Sequence, residues 1–140
     1  KKREELSSTI MQNSYFSFGS ASVEEIDNIN ILQASLLAMK RAILNLSIEP
    51  GKILVDGIHK PDLDIDTQTI IGGDSNVYEI SAASIIAKVY RDSLMMKFDK
   101  QYPDFYFSSH KGYGTKLHKA AIKKYGITPI HRKTFKGVVA

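Results

Sequence analysis

The sequence predicts an α/β fold in one domain spanning residues 1–140. Three observations point there. Two short apolar runs, KILVD (52–56) and QTIIGG (68–73), have the length and composition of buried strands. The stretches around them carry apolar residues at steps of three and four, the period of an amphipathic helix. Glycine and proline fall where one pattern gives way to the next. Strands alternating with helices define the α/β class, and 140 residues suit one domain with its own core.

KKREELSSTIMQN (1–13) reads as the end of a helix already under way, so the chain is expected to be N-terminally truncated. SYFSFGSAS (14–22) is aromatic-rich with polar flanks and is expected to be a strand. Ser22-Val23-Glu24-Glu25 spells a capping box, so a helix starts near residue 23, with a break expected around 28–30. Leu32, Leu36, Met39, Ile43 and Leu46 form one stripe, and Glu49-Pro50-Gly51 ends the helix. Residues 52–56 are a strand, 57–66 a loop and 68–73 a second strand. A long helix follows over 78–102, with Ile80, Ala83, Ala87, Leu94 and Phe98 on one stripe, and Pro103 stops it. Residues 103–114 are expected as an aromatic and basic loop. Thr115 caps a helix running to Tyr125, with Gly126 in the left-handed closing position. Residues 127–137 read as a turn and one short helix.

The net charge of +4 conceals an asymmetry. Residues 103–140 are a basic C-terminal segment: from 101 onward there are eight Lys and Arg against the single acid Asp104, with His110, His118 and His131 besides. The first hundred residues hold 11 bases and 14 acids. Clustered positive charge points to a polyanion, most simply nucleic acid; a solubilising face is the plainer alternative. The absence of cysteine rules out disulfides and thiolate metal sites, and fits a reducing, cytoplasmic setting. No apolar run approaches the ~20 residues of a membrane span.

Candidate chemistry gathers at strand ends. Asp56 closes an apolar strand and precedes Gly57. In open α/β sheets functional groups collect beyond the carboxyl ends of strands, although an Asp-Gly turn is an equally good account. Asp74 repeats the pattern after Gly72-Gly73, and could also serve to offset the dipole of the helix that follows. If the two strands are neighbours, both carboxylates end on one rim, where they can hold a hard cation such as Mg²⁺. Asp62, Asp64 and Asp66 begin like a calcium loop, but position six is Thr67 and position twelve Gly73, so a solvated loop is the better reading. In SSHKGYG (108–114), His110 and Lys111 can meet phosphate, and Tyr113 between two glycines can stack on a sugar or base. Arg132 and Lys133, with Thr134, add phosphate donors.

Taken together, EEIDNINILQASLLAM (24–39), ILVDG (53–57), GDSNVYEISAASIIAKVYRD (73–92), YPDFYFSSHKGYGT (102–115) and HRKTF (131–135) resemble the ribonuclease HII, or type 2 ribonuclease H, family in order and spacing. The resemblance covers nearly the whole chain, and ISAASIIAKVYRD is its most specific part. It implies a ribonuclease H-like fold: a mixed sheet flanked by helices, N-terminally truncated, plus a helical basic C-terminal segment. It further implies hydrolysis of the RNA strand of RNA–DNA hybrids and cleavage at ribonucleotides embedded in DNA, with Mg²⁺ or Mn²⁺ as cofactor and two metal ions at the site. The family uses four carboxylates; Asp56 matches the third and Asp74 the fourth, as catalytic and metal-holding residues. Tyr113 matches the tyrosine that senses the RNA-to-DNA junction. The family's Asp-Glu pair followed by Gly-Arg-Gly does not occur in this sequence. Its Lys before Gly-Asp is Gly72, and its final Arg-Ser is Lys133-Thr134. The expectation is therefore an enzyme whose 140-residue form is inactive by itself, monomeric when intact and with no membrane partner. The alternative is a non-catalytic nucleic-acid-binding module.

Overall fold

The protein is described by a computed structural model covering residues 1–139. Its helices are α1 (Lys2–Asn13), α2 (Val23–Leu44), α3 (Gly73–Asn76), α4 (Tyr78–Gln101), α5 (Phe107–His110) and α6 (Lys116–Tyr125). Two strands, β1 (Ile53–Asp56) and β2 (Thr67–Ile70), lie between α2 and α3. The chain divides into two compact units: Lys1–Ala21 with Ile31–Val89, and Ser22–Asn30 with the chain from Tyr90 onward. No helix among the described residues is long and apolar enough to cross a membrane.

In the first unit, β1 and β2 pair in parallel with Ile53 opposite Thr67 and Asp56 opposite Ile70. Ile53 and Val55 point inward and are buried, the alternation expected of a half-covered strand. A mixed sheet was the expectation; the described residues form this one parallel pair. Part of the reason is the 14–22 segment, which is not a strand. It lies along α2, where side chains satisfy its backbone: Arg41 donates to the Ser20 carbonyl at 2.8 Å and Asn45 to that of Phe18 at 3.4 Å. Ser17 in turn donates its hydroxyl to the Ala42 carbonyl. Gly19 makes the approach possible, because a Cβ there would overlap backbone atoms of Ala38 and Ala42.

Helix α2 ends at Leu44, so Leu46 of the anticipated stripe falls in the turn beyond it. The stripe itself is only partly covered: Leu36, Met39 and Ile43 are half-buried and Leu32 is exposed, while the buried residue of the helix is Ala34, outside the stripe. The expected break is present at Asn30, whose φ of 71° is non-helical. The second strand stops at Ile70, three residues short of the expected 73, because Gly72 takes a left-handed turn (φ 67°) into α3. In α4, Ile80, Ile86 and Met95 are buried, whereas Ala83 and Ala87 of the expected stripe are exposed. Small residues permit a close neighbour without naming which face will have one.

The capping box forms in the second unit: the Glu25 amide donates to Ser22 Oγ at 3.1 Å and the Ser22 amide to Glu25 Oε1 at 3.0 Å. The core here is Met95, Phe105, Phe107 and Ala121, with Phe98, Tyr102, Ile122 and Ile130 packed around it. Phe105 and Phe107 stack with centroids 5.7 Å apart. Residues 103–114 were expected as a loop; they contain a 3-10 turn at Pro103–Phe105 and the short α5. Burying two phenylalanines demands this, since their backbone must then bond internally. Thr115 caps α6 as expected, accepting the His118 amide at 3.2 Å. Gly126 has positive φ (80°) but ψ of −170°, outside the left-handed helical region. Residues 127–137 form turns, without the short helix expected there.

Candidate active site

Asp56 is the last residue of β1, and pairing continues one step past it, with the Gly57 amide donating to the Ile70 carbonyl at 2.9 Å. The chain then has to pass from β2 into α3 beside it. Gly72 supplies the positive φ, and Gly73 is buried so closely that a Cβ would stand 2.5 Å from Ile80 Cδ1. The Gly73 amide donates to Asp56 Oδ1 at 3.0 Å. The bond fixes the Asp56 carboxylate beside the residue that precedes Asp74. Asp74 lies in the first turn of α3 and is exposed, as is Asp56. The two residues thus lie at or just beyond the carboxyl ends of the two paired strands, and the glycines between β2 and Asp74 meet a steric need.

No group of three or more His, Cys, Asp or Glu suited to a metal ion occurs among the described residues. What the chain does offer is two exposed carboxylates at one strand end. Hard oxygen donors of this kind suit Mg²⁺ or Mn²⁺, and Mg²⁺ keeps several waters even in complete sites. The donor set therefore fits part of a divalent-cation site.

The second unit carries the basic loop. Lys111 (φ 54°) and Gly112 (φ 89°) are consecutive positive-φ residues that turn the chain out of α5. Tyr113 follows with 69% of its surface exposed. His110, expected to reach phosphate, is instead buried: its Nε2 bonds the Phe105 carbonyl and its Nδ1 accepts the Gly112 amide at 3.0 Å. Burial holds its pKa below the ordinary imidazole value, against the pull of the Phe105 carbonyl and of Asp99. Its place next to Lys111 in the sequence gave no sign of this, because the apolar contact it makes is with Phe107, at 5.4 Å between rings.

Arg132 is half-buried, and its guanidinium lies 4.3 Å from the centroid of the Phe135 ring. Burial, and then the like charge of Arg91, press its pKa downward while Asp27 opposes them. Lys133 is exposed. Asp27 Oδ1 accepts both the amide (3.1 Å) and the hydroxyl (3.0 Å) of Thr134, pinning the 131–135 turn to the start of α2. The Thr134 amide is the main cause of a lowered Asp27 pKa.

Sequence reasoning missed His118 and His131 as structural actors. Both are buried, and their Nε2 atoms lie 2.9 Å apart. For His118 a signal existed: it shares a helical face with Ala121, Ile122 and Tyr125. For His131, in a turn, there was none.

A parallel strand pair flanked by helices makes this an α/β protein, and a solved structure shows its fold to be of the ribonuclease H-like type. The crystal structure of ribonuclease H2 from Pyrococcus horikoshii OT3 superimposes with a TM-score of 0.70 at 25% identity, covering 98% of this chain and 73% of that one. The Ribonuclease HII family profile matches residues 1–138. Ribonuclease HII of Coxiella burnetii is 59% identical over 139 residues, 99% of this chain and 69% of that protein. Ribonuclease HII of Natranaerobius thermophilus is 48% identical over 139 residues, 99% of this chain and 70% of its own length. The chain belongs to the ribonuclease HII family.

Proposed function

We propose that this protein acts in metal-dependent endonucleolytic cleavage of the RNA strand of RNA–DNA hybrids and of ribonucleotides embedded in duplex DNA. The observation that carries this reading is the bond from the Gly73 amide to Asp56, which holds one carboxylate beside the turn bearing the other. Asp56 and Asp74 would together hold Mg²⁺ or Mn²⁺. When bound, divalent cations lower the pKa of water and neutralise charge developing on a phosphodiester. The chain's own residues do the rest. The Gly73 amide orients the Asp56 carboxylate by donating to its Oδ1. Lys111, Arg132 and Lys133 neutralise backbone phosphates and set register on the duplex. Tyr113 offers its exposed ring to a ribose or base, where the 2′-hydroxyl distinguishes RNA from DNA.

The test is cleavage of a labelled DNA duplex carrying one ribonucleotide, with Mg²⁺ or Mn²⁺. Cleavage at that nucleotide, lost in Asp56→Asn and in Asp74→Asn, is the expected result. Full activity in either variant would remove that carboxylate from the reaction. The second reading is a binding-only role, for which the exposed Tyr113 and Lys133 of the basic segment would suffice. It predicts salt-sensitive binding of the same duplex with no cleavage.

A further inference from the structure

Three imidazoles meet in the second unit, each buried: His110 at 5% exposure, His118 at 6% and His131 at 5%. Their hydrogen bonds leave no choice of tautomer. The Thr128 amide donates to His131 Nδ1 at 2.8 Å, so the His131 proton is on Nε2. That proton points at His118 Nε2, 2.9 Å away, which must be bare to accept it. The proton of His118 is therefore on Nδ1, where it donates to the Tyr113 carbonyl at 2.9 Å. His110 accepts the Gly112 amide and donates to the Phe105 carbonyl. The rings of His110 and His118 stack with centroids 4.1 Å apart and planes at 8°. The backbone on both sides of the Gly112–Tyr113 peptide is thus anchored by two stacked imidazoles, while the Tyr113 ring stays exposed.

We infer that His118 is a positioning residue for Tyr113: its Nδ1–H, oriented by His131, fixes the loop so that the exposed ring is presented to a ribose at an RNA–DNA junction. The inference rests on the role for Tyr113 proposed above. The arrangement tolerates no added proton. One on His131 Nδ1 would face the Thr128 amide, and one on His110 Nδ1 the Gly112 amide. Phe107 lies against all three rings and Phe105 against His131. Asp99 of α4 acts on His110, favouring its charged form. Acidification should therefore loosen the Tyr113 loop.

The test measures, by fluorescence anisotropy with the full chain, the preference for a DNA duplex bearing one ribonucleotide over the same all-DNA duplex. His118→Ala should lower that preference about fivefold, the value of one lost hydrogen bond. His118→Asn, whose amide nitrogen can stand where Nδ1 stood, should restore most of it. Lowering the pH should reduce the preference in the wild type more than in His118→Asn. Equal loss of affinity for both duplexes in His118→Ala, with the preference and its pH profile intact, would mean a folding role only and would overturn the inference. If Tyr113→Ala loses the preference while His118→Ala keeps it, only the positioning role fails. If Tyr113→Ala keeps it, the junction role of Tyr113 fails and takes the inference with it. Should His118→Ala not fold, nitrogen-15 NMR of the wild-type imidazoles decides: His118 must be the Nδ1–H tautomer, and a proton on its Nε2 would overturn the inference.

Discussion

The Gly73 amide donates to the Asp56 carboxylate at 3.0 Å across the gap between the end of β1 and the start of α3. The two residues are 17 positions apart, and the bond ties the strand carrying one candidate ligand to the turn carrying the other. Asp56→Asn keeps an oxygen to accept the amide, whereas Asp56→Ala leaves the amide without it. Thermal or urea denaturation should find Asp56→Asn close to wild type and Asp56→Ala about 1 kcal/mol less stable. Cleavage should be lost in both, and that split would separate the ligand role from the structural one.

Glycines 19 and 73 should not tolerate a side chain, for different reasons. A Cβ at Gly19 meets the backbone of α2, which cannot step aside, so Gly19→Ala should cost about 3 kcal/mol or more. At Gly73 the obstacle is the tip of the Ile80 side chain, which can turn away. Gly73→Ala should therefore cost about 1–2 kcal/mol, and Ile80→Val should relieve part of it. Urea denaturation of the three variants checks the order.

Acid should weaken the second unit. Burial holds the pKa values of His110 and His131 below the ordinary imidazole value of 6.5. A group whose folded pKa is lowered favours its deprotonated form in the native state. Its contribution is complete above the unfolded value and is lost as pH falls through the folded one. Denaturation midpoints should be level from about pH 8 to about pH 7 and decline toward about pH 5. A midpoint that rises on acidification would contradict the neutral network.

Asp27 gives a second, lower pH window. Its pKa is lowered chiefly by the Thr134 amide, so its contribution is present above the ordinary value of 3.8 and lost as pH falls below it. Asp27 is at the surface, and the expected effect is local. Hydrogen exchange at the Thr134 amide should speed up in Asp27→Ala with little change in global stability. Unchanged exchange would show that the turn is held by other contacts.

Tyr113→Ala should impair recognition of a ribonucleotide junction more than binding of plain duplex. Lys133→Ala should weaken binding to both alike and reduce the salt slope by about one. Paired titrations at two salt concentrations distinguish stacking from charge neutralisation.

Much of this was legible in order along the chain. The capping box at Ser22, the break at Asn30, the 78–101 helix and the Thr115 cap depend on neighbours within a few residues, and local sequence encodes such features directly. The two strand-end aspartates were legible for the same reason: an apolar run followed by Asp and Gly is a local pattern. The 14–22 segment was misread because aromatic content says a segment is extended and partly covered, but not whether a strand or a helix covers it. Arg41 and Asn45, more than twenty residues away, decided that. The orientation of His110 was hidden too, since a histidine beside a lysine looks the same in sequence whether it faces solvent or a phenylalanine.

By itself the sequence determined the class, the family resemblance and the residue types at the candidate site, because these are written in periodicity and in short contiguous motifs. Only the tertiary structure decided that Gly73 holds Asp56, and that three histidines spread over 22 residues are wired into one set of tautomers. Hydrogen-bond direction depends on which atoms face one another across the fold, and linear order does not carry that.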